Sequence, residues 1–130
     1  MGRWMEGLNK DNEVIMALAP NFLIYSSRAM PKKMKADFPR LTDLYITSNK
    51  WIDELQSFEG EELIALKFEI EKLENILSFK EYISGVDSER VLKNWISEEY
   101  QLQDILIDIE HLKSFFNQAI NEKLEVKIYL

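Results

Sequence analysis

The chain contains no cysteine and a single histidine, His111, among its 130 residues. The absence of cysteine excludes disulfides, thiolate metal sites and cysteine nucleophiles, and one histidine removes most histidine-based catalytic and metal sites. Glycine is scarce as well, and neither of the common glycine-rich phosphate-binding motifs occurs. We therefore expect a protein that is not an enzyme and that needs no cofactor.

Long apolar runs are also absent. The run over residues 14–19 ends at Pro20 and is too short for a secretory signal. No stretch approaches the length of about 18 apolar residues that a membrane span requires. We therefore expect no membrane partner and a cytoplasmic location.

What the chain does contain is typical of a folded domain. Its mass is 15.4 kDa, and 46% of its residues are apolar and 30% charged. A chain of this length can bury roughly two-thirds of its unfolded surface, which is enough for a core. We expect a single helical domain spanning residues 1–130.

Acidic residues outnumber basic ones, 23 to 16, which gives a net charge of −7. Residues 41–130, with nineteen acidic and nine basic residues, carry −10, whereas residues 1–40, with four acidic and seven basic residues, carry +3. An acidic body repels phosphate and attracts cationic surfaces. The composition therefore favours a basic protein as the partner and argues against direct nucleic-acid binding.

The spacing of apolar residues predicts an all-α fold, an irregular bundle of about four to five helices. Asn9 or Asp11 is the expected cap of the first helix, and Gly85 is the expected stop of the fourth. The tail, residues 126–130, alternates in the manner of a short strand, but no pairing partner for it is evident. The expected helices are residues 11–18, 22–30, 41–58, 61–84 and 88–121.

The two longest predicted helices are apolar on more than one side. The helix predicted over residues 61–84 has a heptad-like seam and a second apolar face. The helix predicted over residues 88–121 carries extra apolar residues opposite its main stripe. Such a helix is either central in its own fold or in contact with a partner or a second copy. The second face consists of Ile64, Phe68, Phe79 and Tyr82.

The candidate partner-binding site combines these extra apolar residues with two acidic stretches. The carboxylates would steer a basic partner, and Ile96, Tyr100 and Ile107 would form the desolvated contact. The competing interpretation is a solvated acidic surface that keeps the protein soluble. The predicted site residues are Ile96, Tyr100, Gln103, Asp104, Ile107, Asp108 and Glu110 in the last helix, with Glu59, Glu61 and Glu62.

Two further features of the last helix have simple explanations. Asp104, Asp108 and His111 share one helical face, but metal centres built on this spacing need a second histidine, so no metal site is expected. Glu98 falls within the apolar stripe, where burial of an unpaired charge would be costly. We expect it to become protonated, to reach the rim of the helix or to form a salt bridge, most simply to a residue such as Lys33 or Arg40.

These features favour a non-catalytic acidic binding module or inhibitor that occludes a basic partner, for example a nuclease or a toxin. Toxin-neutralising immunity proteins and nucleic-acid mimics act in this way, and the analogy is one of composition alone. The alternative is a self-associating helical scaffold or oligomer subunit, in which the extra apolar faces are buried between copies.

Overall fold

The computed structural model describes residues 4–26, 32–48, 56–83 and 86–130. Within these ranges, the chain forms six strands, five α-helices and a short 3₁₀ helix over Lys32–Ala36. In chain order the elements are β1 (Trp4–Leu8), β2 (Val14–Leu18), α1 (Asn21–Ser26), α2 (Pro39–Ser48), β3 (Gln56–Phe58), α3 (Gly60–Phe79), β4 (Tyr82–Ile83), β5 (Val86–Asp87), α4 (Ser88–Trp95), α5 (Leu102–Asn121) and β6 (Glu125–Tyr129).

Four of the strands form an antiparallel sheet in the order β2-β1-β6-β3. Met5 in β1 lies beside Leu18 on one side and Ile128 on the other, so the central pair joins the two ends of the described chain. The prediction of an all-α helical bundle is therefore wrong, and the fold is mixed α/β. The predicted tail strand is confirmed, and its partners are β1 and β3.

The amino-terminal segment forms a β-hairpin where a short helix was predicted. The Asn9 side-chain Oδ1 accepts the backbone N–H groups of Asp11 and Glu13 at 2.9 and 3.0 Å, and Asn12 adopts a left-handed conformation with φ of 60°. Asparagine stabilises tight turns through the same oxygen that caps helices. The prediction of a helix over 11–18 is wrong because Asn9 closes a turn between two strands.

The predicted helix over residues 41–58 is wrong at its carboxyl end. Residues 56–58 form β3, which pairs with β6 through Gln56 opposite Ile128 and Phe58 opposite Val126. Pairing with a strand that is distant in sequence overrides the helical spacing of the apolar residues here. The start of this helix, in contrast, is confirmed as part of α2.

The core lies between the sheet and the helices. Val126 and Ile128 of β6 are buried in one cluster with Leu66 and Ile70 of α3 and with Phe116 of α5. Alternation along β6 turns its other side chains to the opposite face of the sheet, where they are half-buried. The predicted seam of α3 is buried and consists of Leu63, Leu66, Ile70, Leu73 and Leu77.

The helix predicted over residues 88–121 is divided in two. Asp87 caps α4 by accepting the Glu89 backbone N–H at 3.0 Å, and α4 ends at Trp95. A new helix begins at Leu102, where the side chains of Gln101 and Asp104 form a reciprocal capping box. Glu98 consequently lies exposed in the intervening turn and not within a continuous apolar stripe, and Arg40, one of its predicted partners, is paired with Glu62 and Glu69 instead.

Lysine occupies a left-handed position just after each of the two long helices. Lys80 follows α3 with φ of 53°, and the backbone N–H of Glu81 donates to the Ile76 carbonyl at 3.0 Å. Lys123 follows α5 with φ of 55° in the same arrangement. The prediction that α3 continues to Gly85 is wrong, because α3 ends at Phe79. No helix of the described ranges has both the length and the apolar character needed to cross a membrane.

Candidate functional site

An apolar stripe runs along the outward side of α3. Ile64, Phe68 and Phe79 are 40%, 67% and 70% exposed, which is unusual for side chains of this size. At about 100° per residue their successive rotations are about 40° and 20°, so the three lie on one line about 22 Å long. The described residues therefore leave this predicted second face of α3 uncovered. The side chain of Tyr82, its fourth predicted member, lies outside what the structure describes.

The two lysines beside this stripe are each paired with a carboxylate. Lys67 lies 3.6 Å from Glu71, and Lys72 lies 3.8 Å from Asp37, so each lysine is offset. Glu61 has no ion-pair partner among the residues that the structure describes. An uncompensated negative charge therefore remains at the start of the stripe. We call this surface the α3 face, and it comprises Glu61, Ile64, Phe68, Glu71, Lys72, Asn75 and Phe79.

A groove of about 490 Å³ adjoins the α3 face at Ile64, between the start of α3 and the end of α5. Its apolar walls meet two charged groups, Glu59 and Lys123, which are not within ion-pairing distance of each other. A concave apolar surface with few polar groups is typical of a binding site. The remaining lining residues are Gly60, Leu63, Ala119, Ile120 and Leu124.

The aromatic anchor predicted in the last helix is buried instead. Tyr100 lies in the turn before α5, and its hydroxyl donates to Oδ2 of Asp108 at 2.5 Å. The Asp104 carboxylate accepts the backbone N–H of Gln101 at 2.9 Å. Both aspartates are therefore engaged in local hydrogen bonds that fix the turn against α5.

The other predicted residues of this set differ in exposure. Ile96 is half-buried and packs against the core, whereas Ile107 is 47% exposed and Gln103 is exposed. The Glu110 carboxylate lies 2.9 Å from Nζ of Lys113, which also lies 2.8 Å from a carboxylate oxygen of Glu74. Ile107 and Gln103 thus remain accessible, and the partner-binding role assigned to this set stays a prediction.

The structure separates the two halves of the predicted site. Helices α3 and α5 are antiparallel, because Ile64 and Ile120 line one groove while Glu74 meets Lys113 further along. The predicted residues at the start of α3 therefore lie beside the end of α5. Asp104 lies at the other end of α5, about 24 Å from Ile120 along the helix axis at 1.5 Å per residue. The helix-start residues are Glu59, Glu61 and Glu62.

Of these three, Glu62 is held by Arg40 of α2. The Arg40 guanidinium donates to both Glu62 carboxylate oxygens, at 3.0 and 3.1 Å, and lies 3.5 Å from a carboxylate oxygen of Glu69. Hydrogen bonding to Arg40 is the main cause that lowers the pKa of Glu62. Glu62 therefore joins α3 to α2. Glu59 and Glu61 have no ion-pair partner among the described residues, and of these two Glu61 lies on the α3 face while Glu59 lines the groove.

Glu69, about two turns further along α3, is a buried carboxylate with a structural task. It accepts the backbone N–H groups of Arg40 and Leu41 at 3.0 and 3.2 Å, which caps the first turn of α2. Burial raises the pKa of the Glu69 carboxyl, and these hydrogen bonds and the Arg40 charge oppose that rise. The contacts account for Glu69 as a cap, so it is not a candidate acid or base.

Lys113 holds the middle of the helix pair together. Its ammonium lies between Glu74 of α3 and Glu110 of α5, and hydrogen bonds to both raise its pKa. The hydrogen bond from Lys113 is the main cause that lowers the pKa of Glu110. Within the described residues, no three His, Asp or Glu side chains lie together in a way that could hold a metal ion.

The apolar side chains of the α3 face are predictable from the sequence, but the groove is not. Ile64, Phe68 and Phe79 stand out by helical spacing alone. Ile120 and Lys123 join the groove only because α5 returns antiparallel to α3.

Comparisons with protein-family models, curated proteins and solved structures found no match.

Proposed function

We propose that this protein is a non-catalytic binding protein of the cytoplasm that uses the α3 face to cover a basic surface of a partner protein. The observation that carries the proposal is the exposure of Phe68 and Phe79 on a regular 20-residue helix. Large apolar side chains surrounded by polar and charged residues are the pattern of an interaction surface.

Binding would proceed in two physical stages. The net charge of −7 attracts a basic surface over distances of about 8 Å at physiological salt, and the unpaired carboxylate of Glu61 orients it at the start of the stripe. Burial of Phe68 and Phe79 then holds the complex, because complete burial of such a side chain contributes about 1.5–3 kcal/mol. Charge thus governs the association rate and the phenylalanines govern the dissociation rate.

A second carboxylate becomes available when the partner arrives. Glu71 is paired with Lys67 at 3.6 Å, and both side chains are partly exposed on neighbouring turns of one helix. Pairs of this kind contribute only about 0.3–0.5 kcal/mol, so a cation of the partner can compete with Lys67 for the carboxylate. Glu61 and Glu71 together would then flank Phe68 with two negative charges.

The expected partner class follows from this charge. A protein that binds nucleic acid carries a basic surface, and these two carboxylates would occupy that surface in place of phosphates. The proposed action is inhibition by occlusion, as toxin-neutralising immunity proteins or nucleic-acid mimics achieve it. A nuclease or another basic toxin is the partner to test first.

Affinity capture from the native host at low salt tests the proposal. The immobilised parent protein is compared with a Phe68→Ala/Phe79→Ala variant and with a Glu61→Lys/Glu71→Lys variant. We expect a basic protein that the parent retains, that both variants lose, and that elutes as the salt concentration is raised. Equal recovery on all three proteins would refute the α3 face as the binding surface.

An Ile107→Ala variant provides the matched comparison. Like Phe68, Ile107 is an exposed apolar side chain of a long helix, but it lies on α5. We expect Ile107→Ala to retain the partner. Loss of the partner from Ile107→Ala but not from Phe68→Ala/Phe79→Ala would place binding on α5 instead, with the set predicted around Asp104 and Glu110.

A further inference from the structure

Strand β2 forms one edge of the sheet. It pairs with β1 on one side, and no other strand of the described ranges pairs with it on its free side. Alternate backbone N–H and C=O groups of an edge strand point outward without a ladder partner. An extended segment can add to such an edge by completing those hydrogen bonds.

This edge lacks the charges that usually protect edge strands. Residues 14–20 carry no charged side chain, and Val14 and Ile15 are 54% and 45% exposed. Natural edge strands are commonly guarded by lysine, by an inward-pointing charge or by proline. A β-bulge can also protect an edge strand, and β2 has one at Ile15, where the register with β1 shifts between Gly7 and Leu8.

We propose that the free edge of β2 pairs with the β2 of a second copy of this chain. The two strands would run antiparallel about a two-fold axis and extend the sheet from four strands to eight. This pairing does not depend on the proposed function, because β2 and the α3 face belong to different elements of the fold.

Charge favours a second copy as the occupant. A basic partner would find no carboxylate along residues 14–20, whereas an identical uncharged strand is self-complementary there. If the two-fold axis passes beside Met16, Val14 lies opposite the partner's Leu18 and Glu13 lies opposite the partner's Ala19. No carboxylate then faces another across the pair, so the net charge of −7 does not oppose pairing at close range.

The proposed dimer is small and should therefore be reversible. A strand of five residues buries much less than the roughly 1,200–2,000 Å² of a standard interface. Sedimentation equilibrium of the purified protein should show an average mass that rises with concentration from 15.4 kDa toward twice that value. A single species of 15.4 kDa at every concentration would overturn the proposal.

Charged variants at Ile15 test where the copies meet. Across the proposed pair, the two Ile15 positions are diagonal neighbours about 7–8 Å apart. Ile15→Lys and Ile15→Glu should each weaken dimerisation about two- to fivefold through like-charge repulsion, and an equimolar mixture of the two should recover it as a heterodimer. A dimer that persists in both single variants, or a mixture that stays monomeric, would overturn the proposed pairing.

Two controls keep the test independent of folding defects. Ile107→Lys introduces a charge at a similarly exposed position of α5 and should leave the mass profile of the parent unchanged. Hydrogen exchange on the parent alone should show backbone amides of Val14–Leu18 that become more protected as concentration rises. Exchange at this strand that is independent of concentration would contradict the proposal even if the variants misfold, and it would leave the partner binding proposed for the α3 face unaffected.

Discussion

Replacing Phe68 by alanine should have little effect on folding, whereas the same change at Phe116 should be severe. Phe68 is 67% exposed, so about one-third of its side chain contributes to folding. One-third of the 1.5–3 kcal/mol for complete burial is about 0.5–1 kcal/mol. Phe116 is fully buried, and truncation there should cost about 3–5 kcal/mol because it also leaves a cavity.

Urea unfolding followed by circular dichroism measures both values on the same protein. A domain of this size has a total stability of about 5–15 kcal/mol, so Phe116→Ala should shift the midpoint strongly and Phe68→Ala only slightly. Comparable losses from the two variants would show that Phe68 is covered in solution. The α3 face would then not be available to a partner, and the proposed function would lose its main support.

Two further predictions concern groups that the fold places under desolvation or backbone strain. Burial raises the pKa of Glu69 in the folded state, so its ionisation destabilises the fold as the pH rises through that pKa. The stability of Glu69→Gln relative to the parent should therefore increase as the pH rises from below the ordinary pKa of glutamate to above the raised pKa of Glu69, and a difference independent of pH would contradict this. Lys80→Gly should raise the free energy of unfolding by about 0.5–1 kcal/mol in the same assay, because glycine tolerates the left-handed conformation. An unchanged or lowered value would show that Lys80 is not strained.

The elements that could be predicted from the sequence are those defined by local periodicity. The seam of α3, the start of α4 at Ser88 and the alternation of β6 all depend on neighbouring residues, and the structure confirms them. The pairing of β1 with β6 depends on residues more than one hundred positions apart, for which one sequence gives no signal. The sequence does not show whether Asn9 caps a helix or closes a turn, because its side-chain oxygen can do either.

The candidate site was predictable to the extent that its helix was continuous. Ile64, Phe68 and Phe79 lie on one unbroken helix, so counting 100° per residue places them correctly. The same counting failed for Tyr100, because the chain leaves the helix at Ile96 and re-enters it at Leu102. The capping residues at this break, glutamine and aspartate, are weaker signals than the serine or threonine that usually mark a capping box.

The central position of β6 in the sheet affects the order in which the molecule can form during synthesis. The ribosome makes β1 first, but the strand that joins it to β3 is complete only at Tyr129. Until then the nascent β1–β2 hairpin has an open side, and a two-stranded hairpin alone is marginally stable in water. Closure of the sheet during synthesis must therefore wait for β6, and the pairing of α3 with α5 must wait for Asn121, only eight residues earlier.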